Sequence, residues 1–216
     1  MSESRRDLQD EGRRIDQEEV QGRGEAPQDF GIADPAPLGL AAFALTTFML
    51  SLFNAGLLNS AGEPVVFSLA LFYGGLAQFA AGMWEFKNRN TFGATAFTSY
   101  GAFWLAFWGL ETLYAGKIPA AQLAPVVGWF LIAWGIFTAY MFVASIRVSA
   151  AVMVVFLLLT ATFFLLGIGE LAGSEAIGYL GGYVGIATAI AAWYTSAAGV
   201  ANSTFGRVVL PVGPRG

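Results

Sequence analysis

Residues 34–56 read DPAPLGLAAFALTTFMLSLFNAG, and within this stretch a polar, acidic segment changes abruptly into an apolar one. The Asp34 side chain carries an oxygen that can accept hydrogen bonds from the free amides at the start of a helix. Prolines cost little in a first helical turn, because those amides have no partner within the helix. The stretch therefore predicts a membrane helix that starts near Asp34 and runs to about Leu58.

A minority of polar residues in this helix has helical spacing. Thr47, Ser51 and Asn54 stand at i, i+4 and i+7, which places them on one face, and Phe43 lies one turn earlier on the same stripe. In lipid such a stripe must contact other helices or water, because an unpaired polar group in hydrocarbon is costly. The stripe indicates either hydrogen bonds between helices or a pore wall with an aromatic gate.

The composition is that of an integral membrane protein. Hydrophobic residues fill 56% of the 216 positions and charged residues only 12%, whereas about a quarter of the residues in soluble domains are charged. The formal charge of −4 belongs to residues 1–33, and the rest of the chain is neutral. The chain has no cysteine and no histidine, which excludes disulfides and thiol or imidazole chemistry. We predict no metal site, no cofactor and no nucleic-acid partner.

The first 33 residues combine charge, Gln, Gly and Pro with few large apolar side chains. Such a segment cannot bury enough surface to offset the entropy lost on ordering. It also lacks the apolar core after positive charge that marks a cleaved signal peptide. We predict a disordered cytoplasmic tail at 1–33, a six-helix membrane domain at 34–205 and a short cytoplasmic C-terminal tail at 206–216.

Six apolar segments follow the tail, each near the ~20 residues needed to cross ~30 Å of hydrocarbon. They cover residues 39–58, 65–84, 93–113, 125–145, 149–167 and 176–197. An even number of spans places both termini on one side. Six bases near the membrane fall on that side and Lys117 alone on the other; the six are Arg23, Lys87, Arg89, Arg147, Arg207 and Arg215. This pattern predicts an all-α bundle of six transmembrane helices, with cytoplasmic N and C termini, in the plasma membrane, or the inner membrane of a bacterium.

Charged residues of the membrane domain stand only in loops or at the ends of the predicted spans. The spans lack the carboxylate or histidine that proton-coupled pumps usually keep at mid-membrane, so a coupled proton must travel on the substrate or on groups at the pore mouths. The residues for hydrolysis, phosphoryl transfer or metal catalysis are absent, and we predict that the protein is not an enzyme. Hydroxyls, amides and apolar constrictions favour small solutes that cross neutral or partly dehydrated. Monocarboxylic acids fit, and water, ammonia or polyols fit equally well.

The second and third spans contain two polar side chains with alternative roles. Tyr100 needs a hydrogen-bond partner when buried and could offer its proton to a passing carboxylate. Gln78 stands on one helix face with Glu85, and a helix–helix hydrogen bond explains it at least as well as a solute contact. The aromatic line of Phe97, Tyr100 and Trp104 is more typical of packing than of a gate.

Several blocks of the chain resemble one family. The segment Asp34–Leu40, then Phe43 with Thr46 and Thr47, closely resembles the Asn-Pro-Ala-Pro-Leu-Gly-Leu signature of the acetate uptake transporter family, the succinate-acetate permeases. Further blocks are FYGGLAQ (72–78), GMWEFK (82–87), NTFGATAFTSYGAFW (90–104) and FGRVVLPVG (205–213). The resemblance covers residues 34–213. Asp34 stands where the signature has asparagine, which keeps the capping oxygen and adds a negative charge.

The resemblance implies a six-helix protomer that assembles as a homo-hexamer in the lipid bilayer, each protomer with its own narrow path for acetate and, in some members, succinate. It implies an apolar constriction at Phe43, Tyr100 and Leu159. It also implies polar contacts to the substrate carboxylate from Thr46, Thr47, Asn54, Gln78 and Tyr100. We assign Asp34 and Glu85 to the pore mouth.

We therefore expect transmembrane transport of acetate and related short-chain carboxylates, through a path that is proton-linked or channel-like. One alternative is a channel for neutral small solutes. The other is a membrane sensor or scaffold that transports nothing and uses the acidic tail to bind partners.

Overall fold

The computed structural model describes residues 31–214, in which every regular element is a helix. The first helix, α1, spans Ala36–Asn54. The Asp34 carboxylate accepts a hydrogen bond of 2.9 Å from the Ala36 amide, which is the capping role that its short polar side chain predicts. Residues 1–30 of the predicted tail lie outside the described part of the chain.

The end of α1 comes earlier than predicted. The helix ends at Asn54 rather than near Leu58, because Gly56 adopts a φ of +69° that favours glycine. The Leu57 amide then donates to the Leu52 carbonyl at 3.0 Å, which is the Schellman arrangement that closes a helix. The start of α1 lies beside the last helix, because the Ser196 hydroxyl donates to the Pro37 carbonyl at 2.6 Å. The end of the bundle that holds Pro37 is called the terminal end, and the last turn of α1 stands at the opposite end.

Five further helices follow in the described chain. Helix α2 consists of Pro64–Leu71 and Gln78–Lys87, joined by the π-helical segment Phe72–Ala77. Helix α3 spans Thr91–Gly109 and continues into the π-helical segment Leu110–Tyr114. The remaining helices are α4 (Ala120–Ser145), α5 (Ala150–Ala172) and α6 (Glu175–Phe205). Helix α6 thus continues past its predicted end at residue 197.

Five of the helices are long and apolar enough to cross a membrane, and α3 is not among them. Glycine, threonine, serine, tyrosine and tryptophan have low hydropathy values and lower the mean hydropathy of α3. The same helix is strongly enclosed, since 9 of its 19 residues are buried, against 5 of 26 in α4. The chain is a multi-pass membrane protein, in which α3 contacts mainly other helices.

The helices form a ring. Helix α1 packs against α6, α6 against α5, and α5 against α4, while α2 packs against both α1 and α3. Aromatic rings join α3 to α4, where the Phe103 centroid lies 5.2 Å from that of Trp134 and 5.8 Å from that of Phe130. The order around the ring is therefore α1, α6, α5, α4, α3 and α2.

Glycines bring the helices of this ring close together. A Cβ atom at Gly74 would lie 2.6 Å from Thr46 Oγ1, and one at Gly82 would overlap the backbone nitrogen of Thr98. On α6, a Cβ atom at Gly182 would overlap the backbone of α1. These contacts agree with the close approach that small residues at helical spacing predict in membrane bundles.

Residues 206–214 are bound to the bundle rather than extending from it. The Tyr194 hydroxyl donates to the Pro211 carbonyl at 2.7 Å, and the Ala150 amide donates to the Gly213 carbonyl at 2.8 Å. The predicted C-terminal tail therefore joins the start of α5 to α6 over its described part.

Candidate functional site

Two cavities that described residues line lie inside the helix ring. The wide cavity, of about 160 Å³, is nearer to the end of the bundle that holds Asn54 and Glu63. The narrow cavity, of about 20 Å³, is nearer to the terminal end. Phe43 and Leu159 line both of them. These two side chains therefore stand at the boundary between the cavities.

The three residues implied as a constriction come together at this boundary. Phe43 and Leu159 are each 4% exposed and Tyr100 is 2% exposed. The Phe43 and Tyr100 ring centroids are 5.8 Å apart, and Tyr100 lines the narrow cavity beside Leu159. Helices α1, α3 and α5 thus contribute one large side chain each.

The Tyr100 hydroxyl is already hydrogen-bonded within the protein. It lies 2.9 Å from Thr138 Oγ1, and the Thr138 hydroxyl donates to the Trp134 carbonyl at 2.7 Å. Because a threonine hydroxyl has one proton, Tyr100 is the donor to Thr138. A passing carboxylate would have to compete with Thr138 for this proton, and the offer of the Tyr100 proton to a substrate stays a prediction. The aromatic ring of Tyr100 forms part of the cavity wall, while its proton is bound to α4.

Replacing Tyr100 with phenylalanine should therefore affect stability more than transport. We expect a loss of about 1 kcal/mol, the usual contribution of one hydrogen bond, and acetate flux close to that of the unaltered protein. Thermal unfolding in detergent and labelled-acetate flux in liposomes measure the two quantities. Loss of flux from a folded Tyr100→Phe variant would instead give the hydroxyl a direct role.

The polar stripe of α1 lines the wide cavity. Thr47, Ser51 and Asn54 all contribute to its wall, as does Phe43. Of the two interpretations of the stripe, the cavity wall is thus the one that agrees with the described contacts. The Thr47 hydroxyl is buried and has no hydrogen-bond partner among the described residues.

Thr46 and Gln78 occupy different environments. The Thr46 hydroxyl donates to the Ala42 carbonyl at 2.9 Å, and its side chain packs against Gly74. Neighbouring helical residues point about 100° apart, so Thr46 lies against α2 and lines neither cavity. Gln78 lines the narrow cavity and is 1% exposed, and its amide oxygen has no partner among the described residues.

The residues assigned to the pore mouth lie at the terminal end of the bundle, outside both cavity walls. Asp34 is exposed, but Glu85 is fully buried at the α2–α3 turn. One oxygen of Glu85 accepts a hydrogen bond of 3.1 Å from the Asn88 side chain, while the other packs against Gly93. The short turn encloses the Glu85 carboxylate, which differs from the solvent-facing position that its place near a helix end predicts.

Sequence reasoning missed two features of the wide cavity. Three glutamates, Glu63, Glu111 and Glu170, surround its outer end, although the sequence shows them only as separate helix-end charges. The indole N–H of Trp104, another lining residue, is buried without a partner among the described residues.

No lysine or arginine occurs among the described residues that line either cavity. A bound anion must therefore be held there by neutral donors.

Comparison with known proteins identifies a family and several similar chains. The model of the GPR1/FUN34/yaaH family matches residues 18–214. The succinate-acetate/proton symporter SatP of Escherichia coli strain K12 is 41% identical over 182 residues, which cover 84% of this chain and 96% of that protein. Acetate permease A of Emericella nidulans is 42% identical over 195 residues, which cover 83% of this chain and 65% of that protein.

A solved structure has the same fold. The structure of the bacterial acetate channel SatP superimposes with a TM-score of 0.79 at 41% sequence identity, and the match covers 84% of this chain and 99% of that one. The match of the family model, the sequence identities and the shared fold lead to one conclusion. The chain belongs to the GPR1/FUN34/yaaH family.

Proposed function

We propose that the protein transports acetate and related short-chain carboxylates, including succinate, across the membrane through the two cavities of each protomer. The observation that carries this proposal is the boundary at Phe43 and Leu159, which separates a cavity lined by both polar and apolar side chains from a smaller, almost wholly apolar one. Relatives named as a succinate-acetate/proton symporter, an acetate permease and an acetate channel support the substrate class. Because these named relatives are transporters or channels, they also support a role without covalent chemistry.

The topology that we propose has six spans, with α3 as the third. Short connections before and after α3 join it to helices that are apolar enough to cross the membrane. The bases Lys87, Arg89, Arg147 and Arg207 stand at the terminal end of the bundle, and Lys117 stands at the opposite end. The positive-inside rule then makes the terminal end cytoplasmic. The plasma membrane, or the inner membrane of a bacterium, is the proposed location.

The acidic outer end of the wide cavity supports proton-linked uptake. Glu63, Glu111 and Glu170 repel a carboxylate anion and attract protons. Acetate should therefore enter more easily in its protonated, neutral form. A proton that travels on acetate in this way does not need a titratable group between the cavities.

We also propose a homo-hexamer, as the resemblance implies. On α4, Trp129, Ile136 and Val143 are all more than half exposed, at 65%, 59% and 64%. Their spacing of seven residues is typical of a helix–helix seam. This face of α4 is suited to a neighbouring protomer.

Uptake of labelled acetate into proteoliposomes tests the proposed function. Uptake should rise as the external pH falls and should be reduced by propionate, while glycerol flux stays at the level of empty vesicles. A Leu159→Trp variant, which fills the boundary between the cavities, should lose the uptake. Folded protein without acetate flux above empty vesicles would contradict the proposal. Glycerol flux without acetate flux would support the neutral-solute channel instead.

A further inference from the structure

An open groove lies between the start of α5, residues 187–194 of α6 and the C-terminal segment 206–214. The residues that line it are Ala150, Ala151, Val154, Ala187, Ile190, Ala191, Tyr194, Pro211, Val212 and Gly213. We propose that this α5–α6 groove binds one acyl chain of an anionic phospholipid from the cytoplasmic leaflet, with the lipid phosphate beside Arg147. The inference goes beyond the proposed function and uses only its orientation, in which the terminal end is cytoplasmic.

The groove is separate from the transport path and large enough for a hydrocarbon chain. None of the residues that line it lines either cavity, and its volume is about 650 Å³. Small side chains open it, because four alanines and Gly213 are among its ten lining residues. From Ala187 to Tyr194 it follows α6 for about 10 Å, at 1.5 Å for each residue.

Hydrogen bonds fix the C-terminal segment as one wall of the groove. The Ala151 amide donates to the Val212 carbonyl at 3.1 Å, and the Asn202 side chain donates to the Leu210 carbonyl at 2.8 Å. The Val152 amide donates to the Ser149 hydroxyl at 3.2 Å. The first amides of α5 are therefore already bonded, and the groove beside them offers an apolar wall. Such a wall suits a hydrocarbon chain better than a polar solute.

The groove opens outward from the helix ring. Val154, Ile190 and Tyr194 are 40%, 55% and 41% exposed, and α5 and α6 are both apolar enough to cross a membrane. Tyr194 bonds the Pro211 carbonyl through its hydroxyl, and tyrosine rings of this kind are enriched where hydrocarbon meets the headgroups. The groove therefore extends from the headgroup level into the hydrocarbon, as an acyl chain does.

Charge at the headgroup level favours an anionic lipid. Arg147 stands three residues before Ala150, Arg207 stands four residues before Pro211, and both arginines are exposed. The turn 146–149 and the segment 206–214 contain these two bases and no acid. Neither arginine forms an ion pair within the described chain. Bases at the cytoplasmic surface attract anionic lipids, and a guanidinium can bond two phosphate oxygens at once.

A second copy of the chain is the competing occupant of the groove. The α4 face proposed for the hexamer, with Trp129, Ile136 and Val143, contributes nothing to the groove lining. At the terminal end of the described chain, Asp34 is the one exposed acid. A neighbouring protomer therefore offers Arg147 less negative charge than a layer of anionic headgroups does.

Photo-crosslinking in liposomes tests the site on the full chain. Phosphatidylglycerol with a diazirine in one acyl chain is added to protein in phosphatidylcholine liposomes, and mass spectrometry locates the crosslinked peptides. We expect crosslinks within residues 150–154 and 187–194. Unlabelled phosphatidylglycerol should compete for them, and added phosphatidylcholine should not.

Two variants test the parts of the site separately. Arg147→Gln should reduce crosslinking about fivefold, the usual effect of one base near an anionic membrane surface. Lys87→Gln is its control, since Lys87 is an exposed base at the same end but lies on α2, which packs against α1 and α3. Ala187→Phe should remove the crosslinks by filling the groove from an exposed position, while Ala102→Phe, exposed on α3, should keep them.

The outcomes separate this inference from the proposed function, because crosslinking does not depend on acetate flux. Equal competition by both lipids, or unchanged crosslinking in Arg147→Gln and Ala187→Phe, would overturn the lipid site and leave the proposed function intact. A benzophenone attached at Ala187→Cys that captures a second protomer would also overturn it, by showing that another copy covers the groove. Absence of acetate flux from protein with the expected crosslinks would overturn the proposed function alone.

Discussion

Replacing Phe43 with alanine should raise the flux of succinate relative to acetate by about tenfold or more, the discrimination that a small change in side-chain size produces in an apolar pocket. Phe43 lines both cavities and is 4% exposed. Removing its ring joins the wide cavity to the narrow one and widens the boundary at Leu159. The flux of the larger dicarboxylate succinate should rise more than the flux of acetate, because acetate is already small enough to pass.

The ratio of labelled succinate to labelled acetate uptake, measured in the same liposome preparation, is the appropriate quantity. Phe48→Ala is the matched control, since Phe48 is on the same helix but contacts Trp193 of α6, with centroids 5.0 Å apart, and lines neither cavity. The control should keep the original ratio. An unchanged ratio in folded Phe43→Ala protein would argue against Phe43 as a gate.

Replacing Gly82 with valine should cause the largest loss of stability that we predict. A Cβ atom at Gly82 would overlap the backbone nitrogen of Thr98 and lie 2.8 Å from its Cα atom. The obstacle is backbone, which cannot rotate away as a side chain can, so α2 and α3 must separate. We expect a loss of about 3 kcal/mol, the upper part of the usual range for overpacking, and a lower yield of folded protein.

Thermal unfolding in detergent, followed by tryptophan fluorescence, measures this effect. Gly109→Ala on α3 is the control, because a Cβ atom there would meet nothing within 4 Å. Alanine also favours a helix more than glycine does, so the control should be as stable as the unaltered protein or slightly more stable. Equal stability of Gly82→Val would show that α2 and α3 do not pack as closely as described.

The sequence predicts the elements of this fold better than their ends. The capping role of Asp34 follows from its short side chain, and the polar stripe of α1 follows from its spacing. The end of α1 at Asn54 was predictable in principle, because a glycine two residues later is a common stop signal for a helix. The span predicted at 93–113 stays a prediction for α3, because the low hydropathy of its polar and small residues keeps it from being identified as a span by composition alone.

Burial in the structure shows which of the candidate site residues line the cavities. The resemblance implies contacts from both Thr46 and Thr47, and the packing of Gly74 against Thr46 agrees with the spacing of the polar stripe in selecting Thr47 for the cavity wall. Spacing gives no reason to select Leu159, which the family resemblance supplied. Glu85 is charged and near a helix end, yet the tight α2–α3 turn buries it.

Trp104 has a feature that the sequence could not predict. An aromatic line at helical spacing is typical of packing, and its rings do pack, since the Trp104 centroid lies 5.0 Å from that of Phe103. The unpartnered N–H becomes visible only when all neighbouring acceptors are known. No pattern of residue types in the sequence contains that information.

Passage of acetate between Phe43 and Leu159 is the central claim, and the absence of cysteine from the chain allows a direct test. A Leu159→Cys variant is treated in liposomes with a small charged methanethiosulfonate reagent, and labelling is followed by mass spectrometry, with the exposed Lys117→Cys as control. We predict that labelling of Leu159→Cys reduces acetate flux to the level of empty vesicles, that reduction of the mixed disulfide restores it, and that labelled Lys117→Cys stays active. Complete labelling of Leu159→Cys with unchanged flux would contradict the account.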